Sequence, residues 1–503
     1  LQYMCLNGFK QLKSGTDVRG VAVEGKSRIT LTDEAVTAVS RAFVKWLSLK
    51  TGGRKFKIAV GNDSRVSARR ILKCVKEGVL SSGSDMLYTG LSSTPSMFIL
   101  LKKSNFECDA SIMITASHLP YDRNGLKFFT PDGGLSSGDI DEILDIAERG
   151  DFLSGDGEYS EKSFMDEYSS QLVDCVRERC GGDKPLLGKK IIVDAGNGAG
   201  GFFAEKVLKP LGADTDGSQF LDPDGTFPNH IPNPEDRGAM GSLQSAVIKH
   251  GADMGIIFDT DVDRAGVVDR DGNEINRNRL IALVSAILLK DRAGTVVTDS
   301  VTSDGLTGFI EGLGGRHLRF KRGYKNVIDK CVELNEKGEY SPLAMETSGH
   351  AAFKENYFLD DGAYLITKIL ICLAEQEGGI SSLISGLKEP CEEDEIRISF
   401  NANSRNFKSE GAEVIEDLKR AEGGESGFTL AGENYEGARL NFPKDCGDGW
   451  TLVRMSVHDP VMPINFESNS AGGNKIMAER LYAVLKNYAF LNTENLKKFT
   501  DKN

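Results

Sequence analysis

The chain has 503 residues, 40 % of them hydrophobic and 27 % charged, the ordinary balance of a globular protein with about three to four domains. A formal net charge of −13 argues against nucleic acid or an anionic membrane as the main partner, so an anionic small molecule would need a local cluster of cations. Nine cysteines lie scattered without CxxC or Cys/His ligand spacing, which points to reduced thiols in a reducing compartment. The longest apolar run, 280–289, is too short to span a bilayer. No signal peptide is visible, and the chain opens on Leu1 rather than Met, so a trimmed organelle-targeting segment fits the sequence.

Down the chain an apolar β-rich run, a polar glycine-containing loop and an amphipathic helical stretch recur, which is an α/β pattern. Strands are expected at 57–61, 110–115, 190–194, 253–258 and 295–298. The turns 14–20 and 62–65 each offer an arginine, Arg19 and Arg65. A guanidinium in such a turn can grip phosphate in bidentate fashion, or it can cap and pair within the protein.

After the strand at 110–115 come the small residues Thr115, Ala116 and Ser117, then His118, Leu119 and Pro120. Asn124 and Gly125 form a turn signal ahead of a second strand, 126–129, that carries Lys127. Ser117 thus stands in a loop at a strand's end, where α/β folds place ligands. A hydroxyl beside His118 and Lys127 suits nucleophilic or phosphoryl-carrier chemistry, although a serine taken alone also reads as a structural turn.

A helix expected at 161–179 is bracketed by the glycine-rich stretches 150–157 and 181–190 and closes a first domain. The next strand leads into Gly196, Gly198 and Gly201, a GxGxxG match. A dinucleotide unit would want a second strand ending in an acidic residue about 20 positions on, but Asp214 and Asp216 sit in a glycine-rich turn with no strand before them. The loop therefore reads as a structural strand-to-helix turn.

The run 254–258 ends in Asp259, Asp261 and Asp263, followed by Arg264. Like charges on one short loop are costly unless a cation neutralises them, and all-oxygen ligands favour Mg²⁺ or Ca²⁺ over zinc. An EF-hand does not fit, because Gly266 is misplaced and no Glu closes the loop. Three carboxylates leave positions open for a phosphate oxygen on Mg²⁺; a solvated acidic turn is the alternative. Further on, Lys321, Arg322, Gly323, Tyr324 and Lys325 precede a loop with Glu346, Ser348 and His350, groups that can hydrogen-bond a sugar diol. From about 391 the pattern changes to a strand at 395–401, a helix at 411–420, strands through 456 and a last helix at 474–488, a small α+β domain.

Taken in order, these segments resemble the α-D-phosphohexomutase superfamily of phosphoglucomutases, phosphomannomutases and phosphoglucosamine mutases. Residues 14–20 resemble its opening motif, 115–120 its active-serine loop with Leu119 where Asn is usual, and 222–235 its domain-two loop. Residues 259–264 resemble its metal loop and 346–350 its sugar loop, with Met345 where Gly is usual. Tyr324 stands where many bacterial relatives carry His, an order nearer the glucose-specific branch. The C-terminal phosphate loop departs most: Arg454 and Ser456 are kept, but Val457 and His458 replace Gly and Thr.

The resemblance implies three similar α/β domains (1–182, 183–291 and 292–390) and a C-terminal α+β domain (391–503) around a central cleft. It implies Ser117 as a phosphoserine that, with Asp259, Asp261 and Asp263, binds Mg²⁺. Lys127 and His118 would assist proton transfer, and Arg19 and Arg264 would support the phosphoryl group. Glu346 and Ser348 would hold sugar hydroxyls, with Tyr324, Lys325, His350, Arg454, Ser456 and His458 completing substrate binding. The expected reaction interconverts hexose 1-phosphate and hexose 6-phosphate through a hexose 1,6-bisphosphate, glucose preferred and mannose accepted. The expected partner is a phosphosugar, with no nucleic acid and no membrane, for a monomer or homodimer of cytoplasm or plastid stroma. The altered C-terminal loop keeps open a glucose 1,6-bisphosphate-forming enzyme, and a non-catalytic sugar-phosphate-binding subunit is the reading from another class.

Overall fold

The computed structural model describes residues 8–25, 27–376, 378–421, 427–456 and 459–501. The chain divides into two compact units, Leu1–Leu280 with Ser348–Ser382, and Ile281–Thr347 with Leu383–Asn503.

The first unit begins with strands β1 (Lys13–Ser14), β2 (Asp17–Val21), β3 (Lys57–Asn62), β4 (Asp85–Leu91), β5 (Ala110–Ile114), β6 (Arg123–Thr130), β7 (Gly133–Gly134) and β8 (Tyr159–Glu161). They form one sheet in the order β1-β2-β6-β5-β3-β4-β8, with β7 paired to β6. β3, β4, β5 and β8 run parallel, while β6 returns antiparallel beside β5 and β2. The β5 run Ala-Ser-Ile-Met-Ile is buried on both faces, as a covered parallel strand should be. One covering helix, Asp33–Thr51, starts at a Thr32 side-chain cap and stops at Gly52 in the left-handed conformation. Its Val36, Val39, Phe43 and Leu47 recur at helical spacing and enter the core, where the Phe43 ring lies 4.6 Å from that of Phe128 on β6.

The expected helix at 161–179 is present as Met165–Cys180. A second sheet follows, β12-β11-β10-β9, made of β9 (Ile191–Asp194), β10 (Met254–Phe258), β11 (Ala265–Asp269) and β12 (Glu274–Ile275). β9 and β10 are parallel, and the hairpin between β10 and β11 carries the three aspartates. The glycines of the GxGxxG match serve close packing: a Cβ on Gly198 would lie 2.7 Å from the Thr260 carbonyl, and one on Gly201 2.1 Å from that of Leu221. The unit also holds a hairpin of Ala351–Phe353 with Leu359–Asp360 and the helix Gly362–Glu375, capped by Asp361.

The second unit contains three parallel strands, Arg316–Phe320, Thr295–Asp299 and Leu343–Met345, with helices Asp304–Gly312 and Tyr324–Glu336. It also contains an antiparallel sheet ordered Thr429–Leu430, Ala438–Phe442, Gly449–Val453, Val461–Ser468, Glu392–Phe400 and Leu491–Asn492. Helices Phe407–Arg420 and Gly473–Leu485 pack their Leu418, Met477 and Leu481 into its core. The α/β class followed by an α+β region is therefore borne out. No helix among the described residues is long and apolar enough to cross a membrane.

One local expectation is overturned. Asn124 and Gly125 do not make a turn; both lie inside β6. The chain has already reversed between Ser117 and Asp122, and the Asn124 amide donates to Ser67 Oγ at 2.9 Å. Glycine is needed at 125 for close approach, since a Cβ there would lie 2.4 Å from the Val18 carbonyl on β2.

Candidate active site

Ser117 follows the end of β5 and adopts a φ of +52°, a region that non-glycine residues enter only when their surroundings hold them. Its backbone N–H donates to Thr115 Oγ1 at 2.9 Å, a short-range bond that favours the turn. Its hydroxyl, buried with the residue only 3 % exposed, donates to Asp259 Oδ2 at 3.2 Å and lies 3.3 Å from His118 Nδ1. The expected meeting of Ser117, His118 and the acidic loop is thus present in the geometry.

Asp259, Asp261 and Asp263 are all buried, and one carboxylate oxygen from each lies within 4.8 Å of the others. The alternation works because Val262 between them sits at φ +65°, a costly conformation for a β-branched residue, and its side chain is buried. The Val262 carbonyl accepts from the N–H of Gly362, where a Cβ would lie 2.7 Å from the Arg264 backbone, so the helix start pins the loop.

Two cations offset the three carboxylates. Lys127 Nζ lies 2.6 Å from Asp263 Oδ2 and 3.3 Å from Asp261 Oδ2, and Arg264 Nε donates to Asp259 Oδ2 at 3.1 Å. Burial works against the Lys127 charge, but Asp261 and Asp263 outweigh it and hold the ammonium well above its usual pKa. Burial, reinforced by Asp263 and Asp261, pushes Asp259 well above the carboxylate range. Asp263 is also buried, yet Lys127 and His350 drive it the other way, well below that range. His118 is lowered to about 3, by burial first and then by Arg264 and Arg19, so it is a neutral imidazole. Two buried oxygens, Asp261 Oδ1 and Asp263 Oδ1, accept no hydrogen bond among the described residues. Such oxygens in an all-carboxylate set fit a hard divalent cation.

Arg19 is half-buried and paired with Asp17 at 2.6 Å. Ser348 Oγ and His350 Nδ1 are 2.9 Å apart, and His350 Nε2 lies 3.7 Å from Asp263 Oδ1, so both stand beside the acidic loop. Of the two readings open for Arg65, the structure shows the internal one: its guanidinium is turned inward onto the backbone of the serine loop.

The second unit holds the remaining candidates. Glu346 Oε1 accepts from the Gly323 N–H at 2.7 Å, which ties the sugar loop to the 321–325 turn. Tyr324 opens the helix Tyr324–Glu336, and Lys325 pairs along it with Asp329 at 2.5 Å. Arg454 is buried, and burial and then Arg322 lower its pKa. Its Nη2 lies 3.9 Å from Glu395 Oε2. The Ser456 N–H donates to the Val461 carbonyl at 3.0 Å. Val457 and His458 lie outside the described residues.

Sequence reading missed Thr94. Its N–H donates to the Asp261 carbonyl at 2.8 Å and its hydroxyl to Asp261 Oδ2, from the first turn of helix Thr94–Lys103. It also missed Glu235, whose carboxylate lies 3.6 Å from Arg264 Nη1. Thr94 has no local signal, and Glu235 is marked only as the end of the segment 222–235, because each is joined to the acidic loop by the fold.

Comparison with known proteins agrees with this geometry. Residues 10–154, 166–272 and 276–390 match the models of phosphoglucomutase/phosphomannomutase alpha/beta/alpha domains I, II and III. A phosphoglucomutase of Neisseria meningitidis is 32 % identical over 478 residues, 93 % of this chain and 95 % of the relative. The chain belongs to the phosphoglucomutase/phosphomannomutase family. A phosphomannomutase/phosphoglucomutase of Pseudomonas aeruginosa is 30 % identical, with 94 % of each chain covered. The crystal structure of a family protein from Burkholderia thailandensis superposes with a TM-score of 0.77 at 28 % identity, covering 94 % of this chain and 96 % of that one. The family assignment and the phosphohexomutase reaction class expected from the sequence are borne out. These relatives are bacterial and lend the plastid expectation no support.

Proposed function

We propose that the chain interconverts hexose 1-phosphate and hexose 6-phosphate, glucose preferred, by way of a phosphate carried on Ser117 and a hexose 1,6-bisphosphate. The observation that carries this is the Ser117 hydroxyl 3.2 Å from Asp259, in a buried set of three carboxylates of which two oxygens accept no hydrogen bond among the described residues. Asp259, Asp261 and Asp263 would hold Mg²⁺, which when bound neutralises charge on the phosphoryl oxygens.

The chain's own residues then divide the work. The phosphoryl group leaves Ser117 Oγ for a sugar hydroxyl, so one P–O bond breaks as another forms and the hydroxyl's proton must be accepted. The departing Ser117 Oγ takes up a proton in exchange, and His118, with Nδ1 3.3 Å from that oxygen, is placed to assist this transfer. Lys127 is held charged against Asp261 and Asp263, so it serves as a counter-charge rather than as a base. Arg19 and Arg264 stabilise the phosphoryl oxygens. Glu346, Tyr324, Lys325, Ser348 and His350 would bind the sugar, and Arg454, Ser456 and His458 the phosphate that is not transferred. Reorientation of the bisphosphate exchanges those two phosphates before Ser117 is rephosphorylated. In this reading the chain is divided at 182, 291 and 390 into four domains.

A coupled assay with glucose 1-phosphate, Mg²⁺ and catalytic glucose 1,6-bisphosphate tests it. Native protein is expected to form glucose 6-phosphate and the Ser117→Ala variant to form none. Equal activity in both would refute it.

A further inference from the structure

Arg65 is one of the largest side chains fully buried in the protein. It stands three residues beyond Asn62 on β3, and Ser117 stands three beyond Ile114 on β5; these strands are parallel neighbours with Asn62 opposite Ile114. That register brings the guanidinium under the serine loop. Nη2 donates to the Ser117 carbonyl and to that of Leu119 at 2.6 Å, and Nη1 donates to Pro120 at 2.7 Å and Arg123 at 2.9 Å. Four backbone acceptors across one seven-residue segment, 117–123, converge on a single side chain.

The anchor is itself fixed. Asp63 lies 3.3 Å from Arg65 Nε and accepts the Arg65 N–H at 3.0 Å. The Phe227 ring lies 5.4 Å from the guanidinium carbon. Gly225 approaches so closely that a Cβ there would lie 2.3 Å from Val66 N, so loop 224–227 closes over the turn that carries Arg65. Meanwhile Ser117 holds a φ of +52° that its own chain would relax.

We propose that Arg65 is a positioning residue for the nucleophile: by gripping four carbonyls of segment 117–123 it fixes Ser117 Oγ against Asp259 without touching the substrate. The fixed fork of donors explains the choice of arginine, since two terminal nitrogens with two N–H groups each serve four acceptors and a lysine ammonium has only three donors. The proposal rests on Ser117 being the phosphoryl carrier, and its test separates the two claims.

In Arg65→Lys, kcat for the hexose phosphate reaction is expected to fall about ten- to hundredfold with KM within about twofold, because misplacement acts on the chemical step. Hydrogen–deuterium exchange of the amides in 115–123 should rise in the same variant, a readout that does not depend on turnover. If Arg65→Lys fails to fold, Asp63→Asn, which keeps the guanidinium and removes its anchor, carries both measurements with the same sign. Unchanged exchange with unchanged kcat, or a loss confined to KM, would overturn the proposal. A native protein with no mutase activity would instead sink the Ser117 reading while the exchange result still decided the role of Arg65.

Discussion

Replacing Asp259 by Asn should raise the stability of the metal-free protein and abolish its gain from Mg²⁺. The sign follows from the geometry. Asp259 faces two carboxylates with oxygens within 4.8 Å, and at an effective dielectric of about 20 each repulsion costs about 3 to 4 kcal/mol. Against these stands one attraction to Arg264 Nε at 3.1 Å, worth about 5 kcal/mol on the same scale. With the carboxylate ionised, the repulsions exceed the attraction by about 2 kcal/mol and burial adds to that, which is why Asp259 titrates well above the carboxylate range; the metal-free native chain must bear this cost or bind a proton, and asparagine removes both. An asparagine keeps one oxygen for the Ser117 hydroxyl and the Arg264 Nε–H, but loses the acceptor that Asp259 Oδ1 offers the Arg264 backbone N–H at 3.2 Å, which subtracts about 1 kcal/mol from the gain. The assay is thermal denaturation of native protein and variant in EDTA and again in excess Mg²⁺. In EDTA the variant should melt higher; with Mg²⁺ the native protein should overtake it, since binding to the folded state alone adds stability. A variant that melts lower in EDTA, or that gains from Mg²⁺ as much as native protein does, would show that the three carboxylates are not a repelling set awaiting a cation.

Three further outcomes follow from single positions. Gly125→Ala should cost about 3 kcal/mol or more, at or above the upper end of overpacking, because its Cβ meets backbone oxygens of Val18 and Thr115 that flexible side chains cannot vacate. Gly241→Ala, in helix Arg237–His250 with open space around its Cβ, should instead gain about 0.5–1 kcal/mol; urea midpoints of the two variants check the contrast. His230 places Nε2 at 3.0 Å from Asp194 and Nδ1 at 2.9 Å from the Ile231 carbonyl, so both ring nitrogens face acceptors and the imidazolium fits. Burial opposes that charge, but Asp194 outweighs it and raises the pKa. A raised histidine pKa gives stability that is complete below the unfolded value of about 6.5 and is lost as pH rises through the folded one. His230→Gln should therefore lower the urea midpoint most in acid and converge on native protein in mild alkali; a constant difference across that window would contradict the assignment.

Much of the site could be read along the chain because its loops are short and contiguous. Asp259, Asp261 and Asp263 alternate on one hairpin, and Ser117 directly follows a buried strand, so local sequence already brings the carboxylates together. The parts that escaped depend on pairing between distant strands. The sequence leaves Arg65 open between phosphate and an internal partner, and only the parallel register of β3 and β5, which puts it beneath the Ser117 carbonyl, decides between them. Asn124 and Gly125 carry a turn signature, but Ser67 takes the amide and the approach of β2 demands the glycine, so tertiary contacts override the local preference. Thr94 meets Asp261 across 167 positions, and no periodicity reports such a contact.

The most direct test of the whole account is the intact mass of the native protein after exposure to glucose 1,6-bisphosphate and Mg²⁺, followed by peptide mapping. One added phosphoryl group is expected, located on Ser117, removed by excess hexose phosphate and absent from Ser117→Ala. A protein that stays unmodified under turnover, or carries its phosphate on another residue, would contradict the account.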